Sequence, residues 1–253
     1  VILLKSAKEI ALIRASCRVA AEAMAVVMEQ IRPGVSTACL DDTAERYIRR
    51  QGGEASAKGY HGYPRSICVS VNDEVVHGIP GDRMLREGDL LAVDIAVKKE
   101  GYHGDMNVTF AVGAVDDEGR RLMAATQEAM ERGIAAAVAG NRLGDIGWAI
   151  QSFVEDQGYS IVREYCGHGL GRGFHEDPQV LHFGTPGTGR RLQHGMVFTV
   201  EPMVNQGGPD VVLQDDGWTA VTADGRLSAQ FEHTIAVSPE GPAVLSRFAD
   251  LPF

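Results

Sequence analysis

Apolar residues recur three or four apart at Ile10, Ile13, Cys17, Ala20, Met24, Val27 and Ile31, a stripe that predicts a long amphipathic helix. Its start is marked by Ser6-Ala7-Lys8-Glu9, a capping box. In it the Ser6 hydroxyl accepts from the Glu9 amide while the Glu9 carboxylate reaches back. Pro33-Gly34 is read as the stop. A second helix carries Leu40, Ala44, Tyr47 and Ile48 and ends at Gly52-Gly53. The pattern then changes to short continuous apolar runs, Ile67 to Val71, Leu90 to Val97 and Val108 to Val112, which read as buried strands.

The same order returns further along. A long helix is predicted from about Asp117 to Ala139, closed by Gly140. A shorter one carries Leu143, Ile146, Ile150, Phe153 and Val154 and ends at Gln157-Gly158, with strands at Met196 to Val200 and Phe231 to Val237. Shifting the chain by 106 residues lays Gly34 on Gly140, Leu40 on Ile146, Tyr47 on Phe153 and Gln51-Gly52 on Gln157-Gly158. A shift of 107 lays Gly88 on Gly195 and Asp94 on Glu201. Apolar, glycine and acidic positions agree together, which points to an internal duplication. The expectation is one α+β domain over 1–253, with pseudo-twofold halves of about 1–115 and 116–253 and no linker between them. The second half carries extra loop at Gln206 to Gly217 and Gly184 to Gly189.

Some acids sit where these strands should be apolar. Asp94 ends the run Leu90-Leu91-Ala92-Val93, Asp105 precedes Val108, Glu201 follows Val197-Phe198-Thr199-Val200, and Glu232 follows Phe231. A charge in an apolar strand is costly unless paired or bound to metal. A turn is signalled at Lys98-Lys99-Glu100-Gly101. Centred near Lys99 and Glu100, it would set Asp94 opposite Asp105. Carboxylates facing each other across paired strands repel unless a cation or shared proton lies between them. One such acid alone reads best as an edge residue or a partner for arginine. Four of them, placed in matching positions of a duplicated chain, read as a converging set.

Three histidines flank glycine or strand-like sequence: His77 in Val76-His77-Gly78, His168 in Gly167-His168-Gly169 and His175 in Phe174-His175-Glu176. Each alone reads as a loop histidine making a hydrogen bond. Glycine on both sides of His168 allows close backbone approach to a site. No GxGxxG, HExxH or GxSxG occurs, so dinucleotide, zincin and nucleophile-elbow readings lack support. Four carboxylates with an imidazole make a hard, oxygen-rich ligand set, suited to Mn, Fe(II) or Co more than to a closed structural zinc site. Two divalent ions would neutralise four carboxylates and activate a shared water.

Composition narrows the classes further. The chain has 34 acidic and 24 basic residues in 253, a formal charge of -10, which argues against strong nucleic-acid binding. No apolar run reaches the ~20 residues of a membrane span. The apolar start Val1 to Leu4 is broken by Lys5, Lys8 and Glu9, unlike a secretory signal. Cys17, Cys39, Cys68 and Cys166 are far apart and read as free thiols in a reducing cytoplasm.

Taken in order, these motifs resemble the methionine aminopeptidases, in the type I form without an N-terminal extension, over essentially the whole chain. The resemblance rests on Tyr60-His61-Gly62-Tyr63-Pro64, Ser70-Val71-Asn72, His77-Gly78-Ile79-Pro80, Asp94 with His103-Gly104-Asp105, Gly167-His168-Gly169-Leu170-Gly171, Phe174-His175-Glu176-Asp177-Pro178, Glu201-Pro202 and Glu232-His233-Thr234. Glu201 and Glu232 lie 31 apart, too close for the long insertion of the type II form.

The resemblance implies a pita-bread fold, an antiparallel sheet flanked by helices, and removal of N-terminal methionine before a small second residue by a metal-bridged hydroxide. It implies two divalent ions (Co, Mn, Fe(II) or Zn) held by Asp94, Asp105, His168, Glu201 and Glu232, with Asp105 and Glu232 bridging. Glu201 would relay a proton, His175 would bind the scissile carbonyl oxygen and His77 the substrate backbone. A methionine pocket would be formed by Tyr60, Tyr63, Cys68, Phe174, Trp218 and His77, although Trp218 alone also reads as ordinary packing. A monovalent cation would sit by Asn72, Glu74 and Ser228. Nascent chains would be the substrate, met in the cytoplasm during brief visits to the ribosome, and the enzyme would be a monomer. Departures from the family pattern occur at Ala57-Lys58, Asp73 and Met106-Asn107. An X-Pro hydrolase of the same fold, and a non-catalytic binding protein that has kept the fold, are the competing readings.

Overall fold

Ser6 caps the first helix as its sequence predicts: Glu9 N–H donates to the Ser6 hydroxyl at 3.4 Å and Ser6 N–H to the Glu9 carboxylate at 2.9 Å. In the computed structural model, which describes residues 1–247, this helix, α1, spans Ala7–Met28. It stops short of Pro33 because the chain turns at Glu29 and Gln30. α2 is Thr37–Arg50, α3 is Asp117–Ala136 and α4 is Leu143–Asp156. Residues 248–253 of the expected domain lie outside the described residues.

Eight strands form the main sheet: β1 Cys68–Val71, β2 Leu90–Asp94, β3 Met106–Ala111, β4 Gly167–Gly169, β5 Glu176–Val180, β6 Val197–Val200, β7 Glu232–Ser238 and β8 Gly241–Val244. Their order is β5-β4-β6-β7-β3-β2-β1, with β8 on β7, and every pairing is antiparallel. The middle is a narrow seam, where β7 meets β3 at Glu232↔Asn107 and His233↔Met106 only. Apolar side chains of the four helices share one core with the sheet, among them Met24, Ile48, Ile134 and Ile150 with Leu91, Val93, Phe198 and Val200. Period-two alternation then sends Asp94, one residue past Val93, to the opposite face.

The offset seen in the sequence recurs in the backbone. α2 and α4 each have 14 residues and start 106 apart. Gly34 and Gly140 share a positive φ (85° and 99°), as do Gly88 and Gly195 (89° and 86°), a conformation that glycine adopts without penalty. The isolated bridge Ser36↔Met84 is repeated as Arg142↔Arg191. Gly34 N–H donates to Leu85 O at 2.8 Å, and Gly140 N–H to Leu192 O at 3.0 Å.

One expected register is corrected. Asp94 lies opposite Asn107, not Asp105. The turn falls at Glu100-Gly101, both at positive φ (50° and 79°), one residue later than the sequence reading placed its centre. The hairpin carries this register through Val97↔Gly104 and Lys99↔Tyr102. Asp105 is two residues from Asn107, so it stays on the same face as the diagonal neighbour of Asp94.

Candidate metal centre

Strand ends at the middle of the sheet deliver the acids. Asp94 closes β2, Asp105 immediately precedes β3, Glu201 follows β6 and Glu232 opens β7. His168 sits in β4, whose glycines let the chain pass close to its neighbours: a Cβ on Gly167 would stand 2.4 Å from Thr199 O. Ligand atoms of Asp105, His168 and Glu232 lie within 4.8 Å of one another, all three residues buried. His168 Nε2 is 3.7 Å from both Asp105 Oδ2 and Glu201 Oε1.

The electrostatics of this cluster call for a cation. Burial raises the Asp94 carboxyl to about 6. Burial, partly offset by the Thr199 hydroxyl and reinforced by Asp94, raises that of Glu201 to about 8. Asp105 and Glu232 are pushed well above the usual carboxylate range, by burial first and by each other's acidic neighbours second. Asp105 Oδ1 and Glu232 Oε1 are buried with no hydrogen-bond partner. Unpaired buried oxygens are rare and costly, and a divalent ion would satisfy both. The His168 imidazole is held neutral at about 3, chiefly by burial and then by His175, the state a metal ligand needs. The donor set therefore fits divalent metal.

The sequence reading missed several residues that hold these acids in place. Thr199, two residues before Glu201 and on the same strand face, donates its hydroxyl to Glu201 Oε1 at 2.5 Å. Gln230 Nε2 donates to Glu201 Oε2 at 3.3 Å, while Gln230 Oε1 accepts from Asn107 Nδ2 at 2.9 Å. Asn107 Nδ2 also reaches Asp94 at 3.5 Å. Thr234 spans the seam, accepting from Asp105 N–H at 3.2 Å and donating to Asp105 O at 2.8 Å. His182, fully buried, accepts the Glu201 N–H on Nε2 at 3.2 Å. The spacing of Thr199 was a usable signal; an isolated His182 or Gln230 carries none.

A cavity of about 350 Å³ opens onto the cluster. Its wall includes Tyr60, Tyr63, Cys68, His77, Phe174, His175 and Trp218 together with the four acids and one histidine named as ligands. Val76, Glu164, Tyr165, Cys166 and Gln230 also line it and were not foreseen, and Ala57 does so as well. His175 Nδ1 meets the Tyr60 hydroxyl at 2.9 Å, and the two rings stack at 5.0 Å. Burial and the neighbouring histidines keep His175 neutral, at about 4. His77 stands at φ 60°, in the left-handed region, with its ring 5.4 Å from Tyr165. Trp218 packs edge-on against Tyr63 at 5.1 Å, so it belongs to the wall rather than to the distant core.

Asn72, Glu74 and Ser228 do not line this cavity. Asn72 and Ser228 do meet, through Ser228 N–H to Asn72 O at 2.8 Å. The Glu74 carboxylate is engaged by Val71 N–H at 2.8 Å and Arg83 at 2.6 Å.

A sequence profile of metallopeptidase family M24 matches residues 11–239. The chain belongs to this family. Within it, the chain falls among the methionine aminopeptidases. It is 47% identical to methionine aminopeptidase 1 of Bacillus subtilis (strain 168) over 246 residues, which cover 97% of this chain and 99% of that protein. It superposes on the methionine aminopeptidase of Rickettsia prowazekii with a TM-score of 0.96 at 42% identity, covering 98% of this chain and 100% of that one. The fold is thus pita-bread, as expected. Prolidase from Pyrococcus furiosus shares the fold alone, at 21% identity and a TM-score of 0.79, with 98% of this chain covering 66% of that one. Among the described residues no helix is long and apolar enough to cross a membrane.

Proposed function

We propose that this chain is a methionyl aminopeptidase, hydrolysing the first peptide bond of chains that begin with methionine and continue with a small residue. The observation that carries this is the single cavity where the acidic cluster and the apolar wall meet. Asp94, Asp105, His168, Glu201 and Glu232 would hold two divalent ions, Co, Mn, Fe(II) or Zn. Asp105 and Glu232 would bridge, Asp94 would serve one ion and His168 with Glu201 the other. When bound, such ions polarise a carbonyl and let a water lose its proton near neutral pH.

The side chains do the rest. Glu201, its oxygens oriented by Thr199 and Gln230, takes the proton of the attacking water and passes it to the departing amine. His175 Nδ1 shares a hydrogen bond with the Tyr60 hydroxyl, and in the tautomer assigned to this role it is the acceptor there, with the proton of the neutral ring on Nε2. Nε2–H then donates to the carbonyl oxygen as negative charge grows there. His77 would hold the substrate main chain. Tyr60, Tyr63, Cys68, Phe174 and Trp218 form a wall of rings and sulfur suited to a thioether. A monovalent cation by Asn72, Glu74 and Ser228 would be held through main-chain oxygens, since the Glu74 carboxylate is engaged elsewhere.

The reading extends to one catalytic domain over 1–253 with halves of about 1–115 and 116–253, acting as a cytoplasmic monomer on nascent chains, with at most brief contact with the ribosome. Release of methionine from Met-Gly-X peptides after metal reconstitution is the expected result. Cleavage of X-Pro peptides alone would assign the chain to the prolidase-like hydrolases, and failure to bind any divalent ion would assign it to a binding role.

A further inference from the structure

Lys5 is a buried cation outside the chemistry above. The residue is 8% exposed. Its main-chain N–H donates to Gly195 O at 2.7 Å, just ahead of β6. Its side chain runs beneath the loop that links His168 to His175. A Cβ on Gly171 would stand 2.6 Å from Lys5 Nζ, and one on Gly195 would stand 2.9 Å from Lys5 O. Glycine at both positions leaves the space that Lys5 fills. Lys5 Nζ donates to Glu176 Oε2 at 2.5 Å, and Glu176 Oε1 accepts the Gly173 N–H at 2.8 Å.

One carboxylate thus ties the residue after His175 to the residue two before it, and a buried lysine fixes that carboxylate. Between the two ties lie Phe174 and His175. A buried ion pair is weak support for stability, because desolvation offsets most of its attraction. Its geometry, however, is narrow, since the buried Lys5 ammonium cannot leave Glu176 without standing unpaired. We propose that Lys5 is a positioning residue, which through Glu176 and Gly173 sets the turn that presents the His175 imidazole to the scissile carbonyl. The proposal rests on the role given to His175 above.

The test compares two backgrounds in the Co²⁺-loaded enzyme. Lys5→Met should lower kcat by about 10- to 100-fold, the range for small misplacement of a catalytic group, with KM and Co²⁺ affinity within about twofold. In a His175→Ala background the same change should lower kcat by less than about twofold, because the positioned group is gone. Equal losses in both backgrounds, or a loss carried by Co²⁺ affinity, would overturn the proposal. If Lys5→Met does not fold, Lys5→Met/Glu176→Gln, which buries no unpaired charge, repeats the comparison. Histidine ¹⁵N spectra give a readout apart from turnover: the His175 resonances should move or broaden in Lys5→Met while those of His182 stay. Unmoved His175 resonances would also overturn the proposal. If His175→Ala alone keeps full activity, the role of His175 falls, and the spectra alone decide whether Lys5 positions it.

Discussion

The two halves share backbone features at matched positions, such as the Gly34 and Gly140 hydrogen bonds, yet they feed the centre differently. The first half delivers Asp94 and Asp105 from one tight hairpin turned at Glu100-Gly101. The second delivers Glu201 and Glu232 from strands separated by a long excursion, which carries Trp218 into the cavity wall and pairs its strand Ala220–Thr222 with Glu74–Val76 of the first half. It also brings His168 and His175, whereas the first half brings His77. Backbone features repeat at Gly34 and Gly140 and at Gly88 and Gly195, while the side chains that reach the centre do not repeat. A centre can therefore be asymmetric even though parts of the frame around it recur.

The strongest way to break this comparison is to remove one buried acid of the cluster from each half. Asp105→Asn and Glu232→Gln should each lower kcat/KM by about a thousandfold or more, with far-ultraviolet circular dichroism unchanged. Much less damage from one than from the other would mean that the halves are not equal partners. Next in size is loss of the ions. Chelation should lower the melting temperature, and restoring free metal to 100 times its Kd should return about 2.7 kcal/mol. At one fixed free-metal concentration the gap should widen from pH 5 to pH 8. Carboxyls with folded values raised to about 6 at Asp94 and about 8 at Glu201 favour the metal-free fold only at low pH, and that contribution is lost as they ionise. A metal effect that does not depend on pH would rule out converging carboxylates as its source.

Smaller differences lie at matched helix starts. α2 is capped by the Ser36 hydroxyl, which accepts from Cys39 N–H at 3.3 Å. The start of α4 is held instead by Asp145, which accepts from Arg142 N–H at 2.7 Å and Gly187 N–H at 2.6 Å. Ser36→Ala should cost about 1 kcal/mol in urea unfolding, and Arg142→Ala clearly less, because the residue at that position supplies no capping side chain. The Gly187 and Arg142 amides hold the Asp145 carboxyl below the usual range. Its stabilisation is present above about pH 4 and is lost as pH falls through the lower folded value. Amide protection factors, corrected for the intrinsic pH dependence of exchange, should therefore fall in the first turn of α4 on acidification while those of α2 hold.

Much of this was legible because strong patterns are local. The capping box, the helical stripes and the 106-residue offset between Gly34 and Gly140 each lie within short windows, and Asp94, Asp105, Glu201 and Glu232 stood out against apolar neighbours. The hairpin turn falls one residue later than its sequence suggests, which moves the partner of Asp94 by two residues, because Glu100 adopts a positive φ that its side chain does not advertise. Proline at position 33 suggested a helix end that the chain reaches already at Met28. The supports of the centre were hidden for another reason. Gln230, Asn107 and His182 bond across long stretches of chain, and nothing near them in sequence marks their partners.

The seam between β3 and β7 has a consequence for timing. β7 lies in the middle of the sheet, yet it begins at residue 232. A chain synthesised from its N-terminus has the first hairpin, all four helices and most of the cavity wall before the strand that carries the last acid exists. Pairing that late strand between two earlier ones is a long-range step, of the kind that slows folding. The acidic cluster is therefore incomplete until the chain has passed residue 232, and one late insertion completes it.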